Sequence, residues 1–373
     1  MEAWRPRTNG RPISLTLRSM HRQLSPQLLS YIPSFSSQLC RLELELNPLD
    51  YQYLRAKSVA FPVLRELAVC CYRPNDEDFA VIFKTAPALR TLRILTDPRP
   101  FLPFGQYPML QSLELCDISV PALLDALAEF PRLAHLKASL GRPITVTGLE
   151  SNISIAPNLE SLVIGTYCGY PTPGDTLLDW LTLPNLRSLE LHNNPQFDAL
   201  SSFFTRSSCQ LEHLALAIES KEDMQELPRI WLKTYSITTL EIYVEEHILE
   251  FMQTLTLQVH KHPDGFLQPV LLPHIKTLTV ATWNLDFDYE MLFLYLRDSM
   301  NLERHPTRLE SFHLKLTHDP TGNDRIFWLP DDQVLSEFER LVAEGLDIKI
   351  TSPDDHLNWP DELNFEAEGK TFL

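Results

Sequence analysis

The chain has 373 residues, 44% of them hydrophobic and 22% charged, which supplies apolar content for a large core at a charge density ordinary for globular proteins. Thirty-two basic against forty-nine acidic residues give a formal charge of −17, which argues against non-specific binding to nucleic acid or to an anionic membrane. No apolar run approaches the ~18 residues of a membrane span, and MEAWRPRTNG lacks the apolar core of a secretory signal.

In chain order, PISLTL (12–17) alternates like a strand, and SPQLLSYI (25–32) predicts a helix with Ser25 as N-cap and Pro26 in the first position. Residues 1–38 are expected to form an N-terminal cap. From Leu39 one phrase returns: FPVLRELAVC (61–70), APALRTLRIL (86–95), YPMLQSLELC (107–116), APNLESLVIG (156–165) and LPNLRSLELHNN (183–194). With the first leucine of L-x-x-L-x-L as anchor, the series runs Leu39, Leu64, Leu89, Leu110, Leu133, Leu159, Leu186, Leu211, Ile237, Ile275, Leu309. Its first eight intervals are 25, 25, 21, 23, 26, 27, 25 and 26 residues, and the last two are 38 and 34. A period of 20–29 with this spelling is the signature of leucine-rich repeats. Leu189 and Leu191 would lie on one face of a short strand and Ser188 and Glu190 on the other. A strand with one apolar face buries it only by stacking against copies of itself.

Between phrases, SVPALLDALAEF (119–130) predicts a helix capped by Ser119, PGDTLLDWLTL (173–183) one capped by Asp175, and DEDFAVIFKTA (76–86) a third. Proline before most anchors (Pro62, Pro87, Pro108, Pro131, Pro157, Pro184, Pro273) punctuates the return from helix to strand. Asn47 and Asn194 stand where many leucine-rich repeats carry asparagine after the phrase. The expected fold is α/β, a leucine-rich-repeat solenoid over 39–334, shaped as a horseshoe with parallel strands on its concave face and helices on its convex face. LSEFERLVAEGLDIKI (335–350) predicts a closing helix, Gly345 as its stop and a last strand. It opens a C-terminal cap, 335–373, whose acidic tail carries Leu357, Trp359, Leu363 and Phe365 and is expected to dock on the last coil. The six cysteines form no C-x-x-C pair and are expected as free, small, buried thiols in a reducing compartment, cytosol or nucleus.

Three stretches carry a family resemblance. WRPRTNGRPISLTL, with Trp4, Arg7, Pro12, Leu15 and Leu17, resembles the segment that follows the F-box in the F-box/leucine-rich-repeat families of mushroom-forming fungi. MLFLYLRDSM…RLESFHL (291–314) is similar to their late helix-then-strand unit, and ERLVAEGLDIKI (339–350) to their closing element. The resemblance implies substrate recognition in a ubiquitin ligase. Only three residues precede Trp4, so the F-box itself is expected to be absent, and docking on the ligase linker subunit is expected only if an F-box lies upstream. A stand-alone scaffold or inhibitor with no ligase link is the alternative.

Catalytic signatures are absent: the chain has no G-x-S-x-G, H-E-x-x-H or G-x-x-x-x-G-K-[ST]. Gly165 and Gly169 read as glycines of a strand-to-helix turn, His260 and His262 as a solvated loop, and Asp286, Asp288 and Glu290 as capping acids. No catalysis, cofactor or metal is expected. The outward strand positions, two and four past each anchor, form a mixed polar row suited to a protein surface. A protein-binding face is therefore expected at Glu43, Glu66, Arg93, Glu114, Lys137, Glu190, His213 and Glu241.

Overall fold

The computed structural model describes residues 11–19, 22–57, 59–70, 82–83, 85–95, 107–141, 154–166, 174–192, 195–244, 248, 250–251, 272–282, 289–300, 308–317, 332–351 and 358–359. They fall into two compact units, residues 1–186 with 206–209, and 187–205 with 210–373. Each is an α/β arrangement of parallel strands joined by crossovers that hold helices.

In the first unit the strands are β1 (Ile13–Ser19), β2 (Leu39–Leu46), β3 (Glu66–Cys70), β4 (Thr91–Ile94), β5 (Ser112–Ile118), β6 (His135–Leu140) and, after the two-residue β7 (Ser154–Ile155), β8 (Ser161–Thr166). β1 to β6 and then β8 pair in that order, all parallel, while β7 pairs with β9 (Leu181–Thr182). Register brings every second residue into line: Leu15, Leu42, Leu67, Leu92, Leu113, Leu136 and Leu162 form one row. From Leu42 onward that row is buried, as are the anchors Leu39 to Leu186. In the second unit β10 (Ser188–Leu191), β11 (His213–Ile218), β12 (Thr239–Val244), β13 (Thr277–Thr282), β14 (Ser311–Leu316) and β15 (Asp347–Thr351) are parallel. The two-residue β16 (Asn358–Trp359) runs antiparallel to β15. Here the equivalent row is Leu189, Leu214, Leu240, Leu278, Phe312 and Ile348, also buried.

The anchor's job is visible in the backbone. Its N–H donates to the carbonyl three residues earlier, closing a turn: Leu64 to Phe61, Leu89 to Ala86, Leu110 to Tyr107, Leu133 to Phe130, Leu159 to Ala156, Leu186 to Leu183 and Ile275 to Leu272, at 3.0–3.4 Å. Proline occupies the second position of each of these turns, where its fixed φ suits the bend and no donor is required. The residue opening each turn is buried, so the repeat is longer than its leucines: an apolar residue, proline, any residue, then the anchor. At several steps one carbonyl then accepts two N–H groups from the next coil; that of Arg65 takes Arg90 and Thr91, and that of Lys276 takes Glu310 and Ser311.

Among the helices, α1 (Pro26–Leu29) starts at Ser25, whose hydroxyl accepts from the Leu28 N–H, and leads into α2 (Tyr31–Phe35). Asn47 caps α3 (Pro48–Arg55) by accepting from the N–H groups of Leu49 and Asp50, so it is a helix cap rather than a rung along the strand ends. Ser119 caps α4 (Val120–Glu129) as expected. The helix expected over 173–183 is shorter, α5 (Gly174–Asp179), because the chain turns into β9 at Leu181; Asp175 lies inside its first turn, not at its cap. Three further helices are α6 (Phe197–Ser207), α7 (Lys221–Trp231) and α8 (Tyr289–Ser299). The closing helix α9 (Asp332–Ala343) ends at Gly345, φ 97°, with Leu346 N–H bonded to the Leu341 carbonyl and Gly345 N–H to that of Val342. The helix expected over 76–86 lies mostly outside the described residues, as do Gly169, Asn194, His260, His262, Asp286, Asp288 and most of the acidic tail. Gly165 sits within β8 rather than in a turn. Among the described residues no helix is long and apolar enough to cross a membrane.

Candidate functional site

The side chains opposite the buried rows make a polar face on each unit's sheet. In the first unit one row reads Thr16, Glu43, Ala68, Arg93, Glu114, Lys137, Val163, and its neighbour Ser14, Arg41, Glu66, Thr91, Ser112, His135, Ser161. Five of the expected binding residues therefore share this face, Glu43, Arg93, Glu114 and Lys137 in one row and Glu66 in the next. Adjacent rungs pair their charges. Arg18 bonds Glu43 at 2.7 Å and approaches Glu45 at 3.6 Å, and Arg41 meets Glu66 at 3.4 Å. Glu114 lies between Arg93 (2.5 Å) and Lys137 (3.0 Å), and its side chain is only 16% exposed where those of Arg93 and Lys137 are 43% and 63%. Burial pushes the Glu114 carboxyl upward, but the bonds from Lys137 and Arg93 outweigh it and hold the group below its ordinary value. Glu43 is held low chiefly by its bond from Arg18.

In the second unit Glu190, Ala215, Glu241, Thr279, His313 and Lys349 form one row, and Ser188, His213, Thr239, Thr277, Ser311 and Asp347 the next. The remaining expected residues, Glu190, His213 and Glu241, share this face. Glu241 accepts from the Tyr243 hydroxyl and from Lys315 Nζ, both at 2.7 Å. Burial raises its carboxyl, and those two bonds overcome the effect and leave it low. Tyr243 is raised well above the ordinary tyrosine range, first by burial and then by its bond to Glu241. His192 stands edge-on to Tyr243 with ring centroids 5.7 Å apart, and reaches Glu190 at 3.5 Å. His313 Nε2 sits 2.9 Å from the Thr351 hydroxyl, and burial, reinforced by Lys315 and Lys349, lowers its pKa.

Sequence reasoning passed over Arg18, Glu45, His192, Tyr243 and Lys315, which complete these networks. A signal existed: a six-residue strand has a third outward position, six past the anchor, and Glu45, His192, Tyr243 and Lys315 all occupy it. Cys70 and Cys116 occupy it too; they, Cys40 and Cys209 are free thiols, partly exposed rather than buried. Burial nevertheless raises the thiols of Cys70, Cys116 and Cys209. Among the described residues no group of three or more His, Cys, Asp or Glu is placed to hold a metal ion. A scan of the chain against protein-family models finds no match, and a search among curated proteins finds none either.

Proposed function

We propose that this chain is a protein-recognition module, an irregular leucine-rich-repeat array whose horseshoe carries a polar strand face on its inner side and binds a protein partner there without catalysis. The observation that carries the reading is the Arg93–Glu114–Lys137 file: three charged side chains in register across three strands, with the carboxylate sheltered and both cations accessible. Such a surface offers fixed, sign-alternating hydrogen-bonding positions, which suit the polar part of a protein interface. The resolved ionisations support a binding role. On the strand faces Tyr243, Cys70 and Cys116 are shifted toward their protonated, unreactive forms, and Glu114 and Glu241 are held ionised by their hydrogen-bonded partners. By its resemblance to fungal F-box/leucine-rich-repeat proteins, the chain would be the substrate-recognition part of a ubiquitin-ligase adaptor, with the cytosol or nucleus as its setting.

Proximity labelling with wild-type protein, Glu114→Lys and Lys137→Glu tests the site. Proteins that bind the strand face should lose labelling by about tenfold in both variants, with the melting temperature of each variant measured alongside so that lost folding is not read as lost binding. If labelling instead responds only to changes on the helices, the strand face is not the binding surface. Binding to the ligase linker subunit, measured for this chain and for any longer in-frame product, separates an adaptor from a stand-alone scaffold or inhibitor. Partner binding with no linker binding in either form assigns the second.

A further inference from the structure

The central ion pairs of the strand faces keep the acid inside and the base outside. Glu114 is sheltered while Arg93 and Lys137 stand out from it, and Glu43 is 25% exposed against 66% for Arg18. In the second unit Glu241 is 17% exposed against 37% for Lys315. Only the pairs Arg41–Glu66 and Lys349–Asp347, among the described ones on these faces, stand nearly level. A chain of charge −17 attracts basic partners at long range, yet at contact distance these faces offer donors. The donors are not used up. Arg93 meets Glu114 through Nε, so its two Nη groups have no bond among the described residues, and Lys137 reaches that same carboxylate alone.

We propose that the partner segment read by the first unit's face is acidic and extended, with one carboxylate on Arg93, a second on Lys137 and an apolar residue over Val163. The proposal rests on the recognition role given above and names the partner's chemistry. Geometry sets the spacing. Both cationic heads bond one carboxylate, at 2.5 and 3.0 Å, so they are a carboxylate's width further apart than those bonds. Acids two residues apart on an extended chain lie on one side about 6.6 Å from each other, and match that separation. Val163 continues the same row on β8, half-buried, and seats an apolar neighbour beyond Lys137. Glu114 acts as a positioning residue: by accepting from both cations it holds them side by side against their mutual repulsion. The free Nη fork of Arg93 then takes one carboxylate end-on and the Lys137 ammonium takes the other as charge-assisted bonds. A basic segment fares worse here, because the one acid of the file lies behind its two cations and already accepts from each.

The test uses the full chain and three fluorescent peptides: Val-Glu-Ser-Glu-Val, its glutamine counterpart and its lysine counterpart. Affinity is read by anisotropy, and the bound face by amide exchange. The glutamate peptide should bind at least tenfold tighter than either other, protect β4 to β6, and couple to Lys137 under a zero-length carbodiimide. Arg93→Gln and Lys137→Gln should each remove that preference. The comparison of peptides needs only the wild type, so it stays decisive even if a variant folds poorly. Equal affinity for the three peptides, or binding of none, overturns the acidic class. Tighter binding of the lysine peptide to β4–β6 also overturns it, while keeping the strand face as the recognition surface. A glutamate preference that survives both variants, with protection on the helices, removes the strand face itself and the reading on which the proposal rests.

Discussion

Ala215, Thr279 and Ala281 lie on the polar side of their strands and are nonetheless buried, at 1%, 7% and 2% exposure. Small side chains leave room for neighbours to lean across them. Lys315 crosses β13 to reach Glu241, covering Thr279 and Ala281, while His192 and Tyr243 approach each other from either side of β11. The result is a braced surface whose carboxylate is already satisfied, so a partner must match its donors rather than neutralise it. His313 stands at the edge of this brace, facing Lys315 on its own strand, Lys349 and Asp347 on β15, and Glu241 on β12. Its folded pKa lies below the 6.5 of the free side chain because burial, then the two lysines, disfavour the imidazolium. Above pH 6.5 both folded and unfolded forms are neutral and the full stability is present. As pH falls below 6.5 the unfolded chain takes up the proton first, and stability drains away until the folded value is passed. The depressed carboxylates act lower, below their ordinary 4.5, so the window that opens just below pH 6.5 belongs to histidine. Melting curves of His313→Gln should accordingly lose less temperature across that window than those of the wild type. Parallel pH profiles would show that the ring is not buried as described.

At the scale of the element, proline and leucine of the same turn act by different physics. Pro131 sits exposed in the second position of the Phe130–Leu133 turn, where it restricts the unfolded chain but touches no core. Leu133 closes that turn with its N–H at 3.0 Å and buries its side chain to 2% exposure beneath the strand that follows. Pro131→Ala should therefore cost at most about 1 kcal/mol, and Leu133→Ala about 2–5 kcal/mol, as for a cavity in a packed core. Denaturant unfolding of the two variants measures both; equal losses would mean that the turn, not the buried anchor, sets the local stability. The glycine at 141 is fixed by a related local constraint. Asp117 at φ 57° brings its carboxylate against the position that a Cβ at 141 would occupy, beside the Gly141 N–H bond to Ile118. This follows the register shift of the β5–β6 pair between Leu115 and Ile118, a bulge that no repeat count reveals.

Across the whole molecule, what could be read from the sequence is what recurs locally. Leu162 and Leu189 fell on the buried side because strand alternation is decided within six residues, and Gly345 was readable as a helix stop from its own neighbourhood. The Lys315–Glu241 contact was not readable, since it joins residues 74 apart whose alignment depends on crossovers of unequal length. Nor was the division into two units, because the phrase repeats on both sides of it. Within the second unit, strands pair only with their immediate neighbours, so stability should be built coil by coil. α9 and β15 form its last complete coil: Phe338, Leu341, Ile348 and Ile350 are buried, and β15 covers one flank of β14, where Phe312 and Leu314 are at 0% and 1% exposure. Removing residues 332–373 strips that cover and leaves an apolar edge that nothing replaces. Amide exchange should then quicken over β14 and α8, and the protein should aggregate at lower concentration, while β11 and β12 keep their protection because their own neighbours remain. Removing 360–373 alone should leave β14 unchanged, since its cover is intact. Uniform loss of protection from β10 to β14 after the larger deletion would show instead that the unit folds as one cooperative block, and nearest-neighbour stacking would no longer describe it.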